Sequence, residues 1–404
     1  MNHTSESRLV FHDRNLFTVV LLGGVLAGFV SFTIGATLPL IGKAFDVNTS
    51  QLGVLLGVFT AAFGLFQIPA GFLALKWGTR ETFLIGLALV GVASVFSGLS
   101  TNIIELASFR VIVGIGAAFS SGTAYSLVAS YYKEGEKGKS IGLFFGVTNG
   151  LGGVAGLPVA LALAQVFGWS FPVQLGGILT LLVTLVCFLI LPKDSMKKEA
   201  QIRLVWSKGR SVLGSRSIWA LALGLAGFTA GAYVPIDFLT QYFSQAHPSW
   251  GINTAAAIAA VGVMFTLPGG ILGGRMGERK GVDRRLILGI SGAIFGLMLL
   301  AFPFLNVEIL WPWYAVAGIF VGIVSTVINI VPAYLKESEA ENLSLGIGII
   351  SSTQLVFTSV FAILFGIIVE KSGFTPAWFT SGLITLLLLP LLFLVSSSRP
   401  KPVA

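Results

Sequence analysis

Two ionisable residues sit well inside long apolar runs of this chain, and their charges are opposite: Arg110 and Asp237. A charge held within a bilayer is costly unless it is paired or faces water, so each marks a site where something must happen. Arg110 lies about six residues into its run from one end, hence roughly 9 Å deep at 1.5 Å per residue. Asp237 lies about eight residues from the corresponding end of its own run, hence roughly 12 Å deep. Similar depth, opposite sign and opposite halves of the chain predict a pair that bridges the halves and holds one side shut. Protonating Asp237, or binding an anion at Arg110, would release such a gate. The plainer alternative is local bonding, Arg110 to helix-end carbonyls and Asp237 to Thr240 or Gln241. The first reading makes Arg110 a substrate-binding candidate and Asp237 the proton-coupling candidate.

Neutral polar residues in the apolar runs fall into stripes. Arg110, Gly114, Ala117, Ser121 and Tyr125 follow at i+3 or i+4 and share one helical face. Thr229, Tyr233, Asp237 and Gln241 keep a strict i+4 spacing, and Gly318, Gly322, Ser325, Thr326 and Asn329 form a third stripe. Thr33 and Thr37 add a fourth. Any single Ser or Thr in such a place can be glue between helices. As a set, Thr33, Thr37, Ser121, Tyr125, Tyr233, Thr326 and Asn329 read with Arg110 as the lining of a substrate path. Catalytic chemistry is missing from the sequence: His3, His12 and His247 lie at or beyond the ends of the runs without metal-ligand spacing, and no P-loop or dinucleotide-binding glycine motif occurs. The expectation is a protein that is not an enzyme and needs no cofactor or metal, driven by a gradient or by its substrate.

The elements that must hold these residues are membrane helices. Of 404 residues, 55% are hydrophobic and only 10% charged, where a soluble protein uses about 25%. Fifty glycines suit close helix contact in lipid. Runs of spanning length, about 17–25 residues, fall near 16–42, 50–75, 81–99, 104–130, 140–165, 172–191, 217–245, 253–274, 285–305, 310–335, 342–370 and 375–396. The first is too long for a signal-peptide core of about 7–15 residues and should remain as a span. Threading twelve spans from a cytoplasmic start puts 22 of the 25 Lys and Arg inside, leaving Lys43 and Lys371 outside and Arg110 within a span. The positive-inside rule therefore predicts both termini in the cytoplasm, in the cytoplasmic membrane. It also accounts for the net charge of +8 without nucleic acid. Residues 192–216 join two halves, 1–191 and 217–404. Ile202, Val205, Trp206, Val212 and Leu213 fall on one face among Lys198, Arg203, Lys208 and Arg210, which predicts a helix lying on anionic lipid rather than a solvated linker. Cys187 stands alone in an apolar run, so no disulfide framework exists.

The halves repeat. Gly71-Phe72-Leu73-Ala74-Leu75-Lys76-Trp77-Gly78-Thr79-Arg80 returns as Gly270-Ile271-Leu272-Gly273-Gly274-Arg275-Met276-Gly277-Glu278-Arg279, an offset of 270 − 71 = 199. Gly35-Ala36-Thr37-Leu38-Pro39 recurs as Gly231-Ala232-Tyr233-Val234-Pro235, offset 196. Tyr131-Tyr132-Lys133-Glu134 and Ser140-Ile141-Gly142 recur at Tyr334 and Ser344, offsets 203 and 204. Four matches in one order, each at a helix end or kink, indicate a duplicated half.

On these residues the chain resembles the major facilitator superfamily. Gly71, Gly78 and Arg80 resemble its loop between helices 2 and 3, the repeat resembles the loop between helices 8 and 9, and Arg110-Val111-Ile112-Val113-Gly114-Ile115-Gly116 resembles its helix-4 motif. The family's loop carries an aspartate where this chain has Leu75 and Gly274, so the charge-linked lock attributed to that aspartate lacks its residue. The resemblance implies an all-α fold of twelve helices in two pseudo-symmetric six-helix bundles, with helices 1, 4, 7 and 10 around a central cavity. It makes Gly71, Gly78, Arg80, Gly270, Arg275, Gly277 and Arg279 candidate gating residues that cap the inner helix ends. Asn149 to Pro158 is similar to the glycine-proline motif of proton antiporters with its proline displaced, and reads better as close packing with a kink. A nitrate porter is disfavoured, because the second and eighth spans carry no arginine.

The function expected is secondary active, proton-coupled transport, as in symport, of a small organic solute, plausibly an organic anion, by a monomer in contact with lipid. The alternatives are a proton-coupled exporter of amphipathic compounds, which 32 Phe would allow, and a non-transporting membrane sensor. The sensor should add a soluble domain or long tail, and the sequence contains neither.

Overall fold

The computed structural model describes residues 3–130, 137–193, 213–279, 281–334 and 343–396, and the side chains of 16–128, 142–193, 213–279, 281–332 and 346–396. Within these, twelve helices are long and apolar enough to cross a membrane. They are α1 (Leu16–Phe45), α2 (Thr49–Trp77), α3 (Thr79–Ser97), α4 (Ile103–Val128), α5 (Gly142–Phe167), α6 (Ser170–Ile190), α7 (Arg216–Asp237), α8 (Ile252–Glu278), α9 (Arg284–Phe304), α10 (Val307–Ile330), α11 (Gly346–Ser372) and α12 (Phe374–Leu394). An apolar solvent explains the uniformity: lipid cannot bond backbone N–H and C=O groups, so each crossing segment must satisfy its own. The expected surface helix of 192–216 lies almost wholly outside the described residues.

The repeat is visible in the packing. α1 packs on α5, α3 on α6, and α2 on α4; in the second half α7 packs on α11, α9 on α12, and α8 on α10. Each partner lies six spans further on. α3, α6, α9 and α12 turn large apolar side chains outward, among them Phe96, Leu182, Leu189, Ile290, Leu297 and Leu387. These four form the lipid-facing flanks. α7 is the most enclosed span, 72% of its most apolar window being buried against 28% for α6. The interior is therefore organised around α7.

Four spans depart from regularity beside a proline: α9 and α12 end in 3-10 turns, Phe302–Phe304 and Leu389–Leu394, at Pro303 and Pro390, while α5 and α7 are interrupted along their length. α5 passes through one wider π turn, Ala155–Val159, which contains Pro158. The kink expected there thus takes the form of a π-bulge, a feature common where helices serve a function. The run expected at 217–245 is three helical pieces, Arg216–Gly224, Ala226–Asp237 and Leu239–Ala246. Pro235 has no N–H to continue the ladder, and the helix breaks within a turn of it, at Phe238.

The halves meet through α2 with α11, α5 with α8, and α1 with α7 and its continuation. An even number of crossings places the start of the first described span and the end of the last on one face, here the near face. Backbone-to-backbone contact between the halves is closest toward the far face. A Cβ on Gly53 would meet Ala362 O at 2.7 Å and Gly366 Cα at 3.2 Å, and one on Gly366 would meet Thr49 O at 2.7 Å. Thr49 N–H donates to Glu370 Oε2 at 3.0 Å, and Thr240 Oγ1 donates to the Gly35 carbonyl at 2.8 Å. Toward the near face, Gly71 of α2, Gly142 of α5 and Gly348 of α11 have no neighbour among the described residues within 4 Å of where a Cβ would stand. Among the described residues, the close backbone contact between the halves is concentrated on the far side.

Gly53→Val should wedge α2 from α11 and open the far side. A reporter cysteine placed at Ser50, half-buried in this state, should then react several-fold faster with a membrane-impermeant maleimide. An unchanged labelling rate, with normal amounts of protein in the membrane, would show that this contact does not hold the far side shut.

Candidate functional site

Arg110 is positioned by the two glycines that follow it. A Cβ on Gly114 would strike the Phe59 carbonyl and approach Ala62 to 2.9 Å, and one on Gly116 would meet Gly86 O and Val90 N at 2.7 Å. Only glycine lets α4 lie this close to α2 on one side and α3 on the other. The consequence one turn earlier is that the Arg110 guanidinium lies over the Phe59 ring, 4.2 Å from its centroid. Arg110 is 1% exposed, and its Nε has no hydrogen-bond partner. A desolvated cation–π contact contributes about 2 kcal/mol, which does not replace the hydration lost by a buried charge.

The counter-charge comes from the other half. Asp237 ends the middle piece of α7, and its carboxylate lies against Gly35 of α1, whose Cβ would stand 2.7 Å from Oδ1. Arg110 and Asp237 act electrostatically on each other, as do Asp237 and Tyr233, and Tyr233 and Tyr125. Among the described residues no ion pair joins Arg110 to Asp237. The direct bridge expected from depth is therefore a longer-range attraction in this state. The alternative of Asp237 bonding to Thr240 does not occur either, since Thr240 donates to Gly35 instead.

The remaining candidates are distributed unequally. Ser121 is half-buried and accepts from Gln67 Nε2 at 3.4 Å, and Tyr125 is half-buried edge-on to Phe144 at 5.5 Å. Tyr233 is 40% exposed. Thr326 packs beside Gly270, and Asn329 is exposed with Nδ2 donating to Ser325 O. Thr33 and Thr37 are corrected: both are fully buried, and their hydroxyls donate to Phe29 O and Thr33 O of their own helix. They pack α1 and present nothing to a solute in this state.

A cavity opens between the halves, with about 780 Å³ between its walls, open side included. Tyr233 and Gly318 are the sequence-predicted stripe residues in its wall; Phe32, Phe145 and Asn149 come from the first half, and α7, α8, α9, α10 and α12 supply the rest. Trp378, stacked on Phe302 at 3.7 Å, is among the residues sequence reasoning missed. An aromatic side chain within an apolar run carries no signal of which way it faces.

The gating candidates divide differently from the repeat that suggested them. Gly78 serves as the end of α2 and the start of α3 at φ +116°, a conformation that requires glycine. Gly71 lies open, Gly277 is buried against Ile330, and Arg275 and Arg279 are exposed. Arg80 is 5% exposed and donates to the Leu191 and Phe188 carbonyls, at 2.8 and 2.6 Å, over the end of α6. Its structural counterpart is Arg285, which donates to Val395 O at 3.0 Å at the end of α12 and pairs with Asp283 at 2.6 Å. The offset 285 − 80 = 205 continues the 203 and 204 of the later repeats, so the match at 199 paired Arg80 with the wrong arginine. Both arginines bind carbonyls within their own half, as cations do at helix C-termini.

Comparison with known proteins follows this geometry. The sequence model described as Major Facilitator Superfamily matches residues 20–340. The chain is 21% identical over 249 residues to a probable L-galactonate transporter of Escherichia coli K12, covering 58% of this chain and 54% of that one. It is 24% identical over 262 residues to the probable sulfoacetate transporter SauU of Cupriavidus necator, covering 61% and 60%. The matched region thus spans little more than half the length of these curated relatives. A solved bacterial homolog to the human lysosomal transporter Spinster, in an inward-facing and occupied conformation, has the same fold: TM-score 0.73 at 19% identity, covering 96% of this chain and 98% of that one.

The two arginine clamps generate a stability prediction. Hydrogen bonds from a charged donor are worth about 1.5–3 kcal/mol, so in a chain of 404 residues Arg80→Ala or Arg285→Ala should lower the thermal midpoint by roughly 2–4 °C. The hydrogen bond from Arg285 holds the Asp283 carboxyl below its ordinary range. A depressed carboxylate gives stability above its unfolded pKa, near about 3.9, and loses it only as pH falls further. The loss in Arg285→Ala should therefore be the same at pH 6 and pH 8. Midpoints unchanged in both variants would remove the clamp from the account.

Proposed function

The chain belongs to the Major Facilitator Superfamily, and from that premise we propose that it is a secondary transporter of a small organic anion. The halves 1–191 and 217–404 rock about a site between them, with the basic stretch 192–216 and both termini on the cytoplasmic side of the cytoplasmic membrane. The near face is then the cytoplasmic one, and the cavity opens inward in this conformation. Substrate reaches the cavity from one side at a time, as alternating access requires. The protein works as a monomer in lipid, without cofactor or metal.

One observation carries this reading: a fully buried arginine with an unpartnered Nε, attracted by a carboxylate of the opposite half without touching it. Such an arginine is a ready partner for a carboxylate solute, which it can hold by two parallel N–H···O bonds. Asp237 competes with that solute for the same positive charge. When Asp237 takes up a proton its charge vanishes, Arg110 loses its internal partner, and a substrate anion can replace it. Release of both restores the attraction between α4 and α7. Proton and solute thus bias one two-state element, which is what coupling requires. The acids named for the two relatives, L-galactonate and sulfoacetate, support an anionic solute. A second reading, proton-coupled export of amphipathic compounds, is favoured by the aromatic wall of the cavity.

In proteoliposomes, Asp237→Asn should abolish pH-driven accumulation while leaving solute exchange largely intact, because the neutral amide mimics the protonated state permanently. Arg110→Ala should lose both activities. If Asp237→Asn still concentrates solute in response to a pH gradient, the proton site is elsewhere.

A further inference from the structure

The cavity has a chemistry that the charged pair does not explain. Among the described residues no Lys, Arg, Asp or Glu lines it; its wall includes Tyr233, Phe295, Phe302, Trp313, Tyr314 and Trp378. Trp378 is 1% exposed, and its indole N–H, buried within this wall, has no hydrogen-bond partner. A buried donor without a partner is rare in folded proteins and asks what satisfies it. A polyhydroxylated acid fits such a wall poorly. Each hydroxyl stripped of water needs its own hydrogen bond, and few side-chain polar groups among the described residues line the space: two tyrosine hydroxyls, the indole N–H groups of Trp313 and Trp378, Asn149 and Thr266. The last two already donate to Phe145 O and Val263 O of their own helices.

The wall and the charged pair are joined by one turn of α7. Tyr233 lines the cavity, and Asp237 follows it by four residues, about 6 Å along a helix. A solute with its carboxylate at Arg110 would therefore extend an apolar body past Tyr233 toward Trp378 and Phe302. We infer that the substrate is an aromatic monocarboxylate, its carboxylate held by Arg110 and its ring against the Trp378–Phe302 face, beside the unpartnered indole N–H. The inference rests on the anion reading above and adds to it what occupies the rest of the site. Aromatic rings stack offset or edge-on against one another, as Phe302 does with Trp378 and with Tyr314 in this wall.

Calorimetry on the full chain in lipid nanodiscs tests it with three probes: 4-phenylbutyrate, its neutral amide and gluconate. The expected order is 4-phenylbutyrate tightest, with the amide and gluconate each at least about tenfold weaker. Trp378→Leu should weaken 4-phenylbutyrate about tenfold and leave gluconate unmoved. Trp378 is buried, so Trp313→Leu, at a half-buried wall position, gives an independent measure should the first variant fail to fold. Gluconate binding as tightly as 4-phenylbutyrate, or insensitivity of 4-phenylbutyrate to both variants, overturns the aromatic body and leaves the anion reading intact. The amide binding as tightly as the acid, with loss in both variants, overturns the anion reading and leaves the aromatic site standing.

Discussion

A buried guanidinium is the constraint on which the interior of this protein depends. Arg110 has lost its water and gained only an aromatic face, so its charge must be answered from elsewhere. The answer lies across the interface between halves, on a helix that breaks one residue later. Several local features follow from that need. Gly114 and Gly116 bring α4 deep enough to seat the arginine on Phe59, and Gly35 leaves room for the Asp237 carboxylate beside α1. Pro235 and the break at Phe238 free the end of α7 from the regular ladder. Because the attraction acts over a gap, it can be strengthened by approach or cancelled by a proton or an anion. A tight ion pair would offer less of that freedom.

Closure of the far face uses a different principle. The halves touch there backbone to backbone, Gly53 on Gly366 and Gly35 under Asp237, with few polar bonds across. In a bilayer apolar contact with a neighbour competes with apolar contact with lipid, so close packing of small residues decides association. Apart from the attraction between Arg110 and Asp237, such an interface parts with few polar bonds to break. The arginines at the near ends do the opposite: Arg80 and Arg285 fasten α3 to α6 and α9 to α12 inside each half. Stiff halves and a shallow interface are what rigid-body rocking needs.

Much of this was legible in the residues. Apolar length predicted the ends of eleven of the twelve helical runs to within five residues; the exception is α1, whose helix begins at His3, and the run at 217–245 is helical from Arg216 to Ala246 but in three pieces. Arg110 and Asp237 stood out because charge in an apolar run is costly wherever it sits. Sequence matching lost its register at the loops, since glycines recur too often to align them, and so paired Arg80 with Arg279 rather than Arg285. Thr33 and Thr37 misled because a hydroxyl in a helix can always bond its own carbonyl, whichever face it occupies. Trp378 was silent for the opposite reason: in a chain with 8 Trp and 32 Phe, an aromatic residue looks the same facing lipid or facing a cavity.

The central claim is that Arg110 and Asp237 are energetically coupled across the two halves, and a double-mutant cycle measures it directly. Unfolding free energies of the parent, Arg110→Gln, Asp237→Asn and the double variant, taken in one membrane mimetic at one pH, give the coupling term. Coupled neighbours differ from additivity by about 0.5–3 kcal/mol. The account predicts a double variant at least about 1 kcal/mol more stable than the sum of the single losses allows, since removing both charges leaves neither stranded. Additivity within about 0.5 kcal/mol would mean that each residue answers to its own surroundings, and the coupling between the halves would have to be sought elsewhere.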